Sequence, residues 1–309
     1  MVSEDFVAAL LRDTIKAGTP FILATLGEIY AERSGILNLG VEGMMSMGAL
    51  SAFMVAYITG DPFLGIIVAT VVGGLMSLIH AFVSITVRAN QVVSGLALTI
   101  LGLGLSGFLG KGLIGYTAPR LTPTRIPYLV DIPIVGPALF GQDLLVYLSI
   151  ILALVLWFVL FKTVQGLKIR TVGENPAMAD SLGVNVYLVR YLCTFIGGLL
   201  AGLSGAYLST AYTPLWAEGM TAGRGWIAIA LTIFAAWNPM KALLGAYLFG
   251  GITALQFRLQ AMNIGISAEF LLMTPYAATI LVLIVLSSSA LRRRVGVPAA
   301  LGVPYYREE

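Results

Sequence analysis

Long stretches without a single Asp, Glu, Lys or Arg set the terms on which this chain can fold. Pro62–Val87 is one; Ala89–Gly110, Tyr191–Ala217 and Phe270–Leu291 are others, and Leu144–Phe161 is nearly as long. A helix needs about 20 mainly apolar residues to cross the hydrocarbon core of a bilayer. Backbone polar groups find no water there, so an open run of this kind must satisfy them internally as a helix. The rest of the chain agrees: 58% of its 309 residues are hydrophobic, 11% are charged, and mean hydropathy is +0.92. Soluble domains carry about a quarter charged residues. The expectation is an all-α polytopic membrane protein.

Nine apolar segments emerge: Ala17–Tyr30, Leu37–Ile58, Phe63–Val87, Gln91–Gly110, Leu144–Phe161, Tyr191–Leu208, Trp226–Ala236, Ala242–Arg258 and Phe270–Ser289. The first and seventh are short for a crossing, which implies half-helices or helices lengthened by polar ends. The opening residues MVSED carry two acids and no basic cluster, unlike a secretory signal. Basic residues gather in the stretch holding Lys162, Lys168, Arg170 and Arg190, and again at Arg292, Arg293 and Arg294. Lys and Arg favour the cytoplasmic side. Placing both clusters there also brings Glu32, Arg33, Arg88 and Lys241 inside, with 11 Lys and Arg inside against 7 outside. Nine crossings then put the N-terminus outside, unless its first dozen residues lie along the membrane surface. The whole of 1–309 reads as a single transmembrane domain. Within it, 111–142 is an extracytoplasmic loop, 162–190 a cytoplasmic connector and 290–309 a cytoplasmic tail.

Glycine occurs 35 times, and small residues let membrane helices approach closely. The chain also echoes itself. "DPFLGIIVATVVGG" and "NPMKALLGAYLFGG" each place a Gly pair 11 residues after the proline. With one proline turn outside and the other inside, the two units would be inverted repeats, an architecture common in transporters.

Polar residues inside the apolar regions are functional candidates. "SGILNLGVEGMMSMGALSAF" brings Asn38 and Glu42 to the mouth of the second segment, with Glu28 just before it. They are expected near the cytoplasmic end of the first two helices, as caps and packing groups or as an inner gate. Asn90, Gln91, Ser94, Trp216 and Trp226 are candidates for the gate or translocation path, and the tryptophans could equally be interfacial anchors. The acids fall near the predicted segment ends, and none is expected mid-span. One Cys (Cys193) and one His (His80) supply neither a disulfide nor a metal or catalytic set. The net charge of +3 gives no reason to expect a nucleic-acid partner.

The connector "GLKIRTVGENPAMADSLGVN" reads as a short capped helix, with Asn175 as N-cap, Pro176 in the first turn and Gly183 at the stop. Ala177, Met178, Ser181 and Leu182 give it a small apolar face suited to docking. Four stretches, "ERSGILNLGVEGMMSMGA", "RTVGENPAMADSLGV", "GLLAGLSGAYL" and "GRGWIAIALTIFAAWNPMKALLGAYLFG", occur in order between about Ala17 and Ser289. Together they resemble the permease subunits of ATP-binding-cassette importers for simple sugars, nucleosides and branched-chain amino acids, above all the nucleoside-type subunits.

The resemblance implies that the connector is a coupling helix, with Glu174, Asn175, Pro176, Ala177, Ala179 and Gly183 at a cytosolic ATPase. It also implies a paralogous second permease in the lipid bilayer and an extracytoplasmic substrate-binding protein, which would land on the outer loops. The chain holds no GxxxxGK[ST] phosphate loop, so it needs no cofactor of its own and ATP would bind the partner. The rival expectation is a secondary transporter working without an ATPase.

Overall fold

The computed structural model describes residues 4–262, 265–286 and 296–307. Arg292, Arg293 and Arg294 and the last residues of the ninth apolar segment lie outside the described residues. The first half comprises α1 (Glu4–Arg33), α2 (Val41–Thr59), α3 (Pro62–Ala81), α4 (Gln91–Gly110) and the short α5 (Val135–Leu139). α6 (Leu144–Lys162), α7 (Val164–Glu174) and α8 (Pro176–Ser181) lead into α9 (Val186–Tyr207). α10 (Arg224–Phe234), α11 (Pro239–Ala261), α12 (Ala268–Leu272) and α13 (Thr274–Leu286) follow. α3 and α9 each run on through a π turn, Phe82–Thr86 and Leu208–Tyr212. The described residues contain no strand, only an isolated bridge between Thr117 and Leu215.

Six helices are long and apolar enough to span a membrane. The two short segments resolve differently. α1 is 30 residues long, roughly 45 Å at 1.5 Å per residue, because polar sequence extends the helix beyond Ala17–Tyr30 at both ends. α10 has 11 residues, roughly 16 Å, and is a true half-helix. The second segment also differs from expectation. Its helix starts at Val41, not Leu37, because residues 36–38 are irregular and 39–40 turn.

The helices pack on a central α1–α9 pair, with α3 lying along α9 and α11 along α1. Glycines close each seam. A Cβ on Gly73 of α3 would come within 2.6 Å of Gly202 Cα on α9. One on Gly250 of α11 would come within 2.6 Å of Gly18 N on α1. These are the glycines of the sequence echo, and its two prolines match as well. Asp61 caps α3, accepting from Phe63 N at 2.8 Å, and Asn238 caps α11, accepting from Met240 N at 2.9 Å.

The two faces of the bundle are distinct. On one, the Gln142 amide donates to Arg12 O at 3.3 Å and Arg258 pairs with Asp13 at 2.6 Å. The start of α1 therefore shares a face with the end of the 111–142 loop. That loop is not bare, since α5 packs against α1. The opposite face gathers Arg33, α7, α8 and residues 296–307.

Candidate functional site

The connector folds as its local signals dictate, with α7 ahead of the expected helix. The Asn175 side chain accepts from Met178 N at 2.9 Å, capping α8 behind Pro176. Gly183 takes φ +80°, with open space where a side chain would stand. Met178 and Leu182 are 58% and 72% exposed, an unusual presentation for large apolar side chains on a face rich in polar groups. Glu174, Asn175, Ala177 and Gly183 are exposed beside them and Pro176 is half-buried. Ala179 departs from expectation. It is fully buried against Val172, Val186 and Tyr305, so it seats the helix and offers no surface to a partner.

Residues 296–307 pack beside this helix, which their composition did not suggest. Ala300 N donates to Gly173 O at 2.8 Å and Gly302 N to Gly35 O at 3.2 Å. The Tyr305 hydroxyl donates to Asp180 Oδ2 at 3.0 Å, and Arg307 Nε reaches the same oxygen at 3.0 Å. Burial, and then the adjoining Asp180, raise the Tyr305 phenol above its ordinary pKa, so the hydroxyl stays protonated and donating. Arg190, buried at the start of α9, ties Ser34 O and Val303 O at 3.2 Å each.

From this face the chain climbs back toward the middle of the bundle. Gly35 turns it at φ +93°. Leu37 is then gripped on both sides: its N donates to Gln91 Oε1 at 2.8 Å and its carbonyl meets His80 Nε2 at 3.1 Å. Since a carbonyl can only accept, Nε2 carries the proton and Nδ1 accepts from Ser94 Oγ at 3.0 Å. Asn38 N donates to Glu28 Oε1 at 3.2 Å, and the Asn38 side chain accepts from Gly40 N at 3.0 Å.

Glu42 therefore sits at mid-depth, not near the cytoplasmic end. A Cβ on the adjoining Gly43 would meet Leu98 O and Thr99 Cα of α4 within 2.8 Å, and those residues lie near the middle of α4. The expectation that no acid lies mid-span does not hold for Glu42. Its carboxylate is fully engaged: Oε1 accepts from Gly223 N at 2.8 Å and Oε2 from Gly225 N at 2.6 Å. Those amides belong to the start of the half-helix α10, where a negative charge is favoured. Nothing local announces this contact, which joins residues 181 and 183 apart.

The other candidates do not converge on one point. Trp226, in the first turn of α10, is 38% exposed beside the Glu42 contact. Trp216 is buried at the C-terminal end of α4, where a Cβ on Gly110 would strike its indole. Asn90 caps α4 by accepting from Val93 N at 3.1 Å. With Ser94 and His80 it lines a cavity of about 400 Å³ between α3 and α4. Gln91 and Asn38 are buried, each spending side-chain oxygen on backbone. Among the described residues, no cluster of His, Cys, Asp and Glu could hold a metal ion.

Residues 10–287 match the family described as branched-chain amino acid transport system / permease component. The chain is 43% identical to the putative glucose ABC transporter permease protein TsgC13 of Haloferax volcanii, over 98% of this chain and 99% of that one. It is 38% identical to the guanosine ABC transporter permease protein NupQ of Bacillus subtilis, covering 97% of both. Identity with the nucleoside ABC transporter permease protein NupC of Lactococcus lactis subsp. cremoris is 35%, covering 94% of both. A fainter likeness, 25% over 92% of this chain, reaches a second permease protein of Bacillus subtilis, NupP.

Proposed function

This chain belongs to the branched-chain amino acid transport system / permease component family, and we propose that it carries nucleosides inward as one half of a pore driven by a separate ATPase. The observation that carries the ATPase reading is α8, a capped helix with Met178 and Leu182 exposed on the basic face of the bundle. Bare apolar side chains of that size on a fixed helix suit a groove in a soluble partner. The cytoplasm is the side of that partner, which agrees with Arg33, Arg88, Lys162, Lys168, Arg170 and Lys241 gathering there. A paralogous permease would complete the pore, as the likeness to both NupQ and NupP suggests. An extracytoplasmic binding protein would deliver the solute to the loops around 111–142 and 213–223.

Nucleosides are favoured by the names of two relatives and by the half-exposed Trp226 ring in the first turn of α10, a face on which a base can stack. ATP binding would close the ATPase dimer and bias the bundle between two states, through α8 at one end and α10 at the other. The test is affinity purification from native membranes, followed by nucleoside and glucose uptake with reconstituted partners. Gly183→Arg, placed in open space beside the docking face, should abolish uptake at normal membrane abundance. A chain that purifies alone and transports without ATP would instead be a secondary transporter.

A further inference from the structure

The tail 296–307 is the best-anchored feature of the inner face that transport chemistry does not require. It touches everything that meets there: Gly173 at the end of α7, Gly35 at the turn after α1, Arg190 at the start of α9, and α8 itself. Arg88, between α3 and α4, stacks over the Tyr306 ring at 4.6 Å, and Arg33 donates to Gly296 O at 3.5 Å. α8 has six residues, too few to hold a stance by its own hydrogen bonds. What fixes it is Ala179, buried against the Tyr305 ring, and Asp180, which accepts from both Tyr305 and Arg307.

We infer that Tyr305 and Arg307 are positioning residues for ATPase docking: they hold α8 from beneath through Asp180 and set the angle at which Met178 and Leu182 are presented. The same tail is bonded to Gly35, the start of the climb toward Asn38 and Glu42. A displacement of α8 by the ATPase therefore pulls on that turn through the tail as well as through α7.

This inference rests on the ATPase-driven reading, so the experiment separates the two. The full-length chain, in complex with its ATPase and second permease, is compared with the Tyr305→Phe/Arg307→Gln variant. Losing two hydrogen bonds to one carboxylate should weaken ATPase retention about tenfold, with membrane abundance unchanged. The exchange Asp180→Arg/Arg307→Asp should recover retention lost in either single variant. A purely structural role would lower abundance and melting temperature without a selective loss of ATPase, and would overturn the inference. So would unchanged retention and uptake in the first variant, or an exchange that recovers nothing while both single variants are impaired. An unaltered chain that binds no ATPase would sink the function reading itself.

Discussion

The two proline corners of the sequence echo are built from one local recipe and end up in opposite circumstances. Asp61-Pro62 and Asn238-Pro239 both cap a helix by accepting from the amide two residues on. Before the first stands Gly60, at φ +78° with open space around it. Before the second stand Ala236 and Trp237, at φ +50° and +53°, where side chains are disfavoured. That second corner is nailed down. Glu32 accepts from the Trp237 indole, and Arg33 donates to Ala236 O at 3.1 Å and Trp237 O at 3.3 Å. Backbone strain persists where its surroundings over-determine it, and such places tend to be functional. The relaxed corner turns the chain at the opposite face. The strained one couples α1, α10 and α11 on the face that carries α7 and α8.

Breaking that contrast gives a graded set of outcomes. Trp237→Ala removes a side chain only 2% exposed and leaves the Glu32 carboxylate without its indole donor. The loss should be about 3–5 kcal/mol, read as a lower melting temperature in detergent and a collapse of uptake. The cap substitutions should be milder and should diverge. Asn238→Ala and Asp61→Ala each forfeit about 1 kcal/mol, yet only Asn238→Ala should reduce uptake per molecule in the membrane. Equal uptake by both would mean the corners are functionally alike. Smallest of all, Gly60→Ala should shift melting slightly, by about 1 kcal/mol for a left-handed alanine, and leave uptake untouched.

The parts legible in the sequence were those whose partners lie within one turn. Asn175, Asp61 and Asn238 announce their helices because a cap bonds to an amide two or three residues on. The Gly pairs at 73 and 250 were visible as a repeat, though not the helices they would close upon. The start of α2 was placed too early because residues 37–40 are apolar enough to pass for helix while bonded instead to Gln91, His80 and Thr99. The Ala179 contact expected with the ATPase fails because Ala179 is buried by residues beyond one turn, Val172 and Val186 on the flanking helices and Tyr305 more than a hundred residues later. The contacts of the tail with α8 join residues just as far apart, so no local signal announces them. The grip of Glu42 on α10 follows from no spacing rule at all.

That grip has a consequence for permeability. The irregular segment after α1 reaches mid-depth from one face of the bundle, and the irregular segment leading to Gly223 reaches it from the other. They meet at the Glu42 carboxylate and the amides of Gly223 and Gly225. A single carboxylate thus clamps both irregular segments, and a solute passing along that line would have to part them.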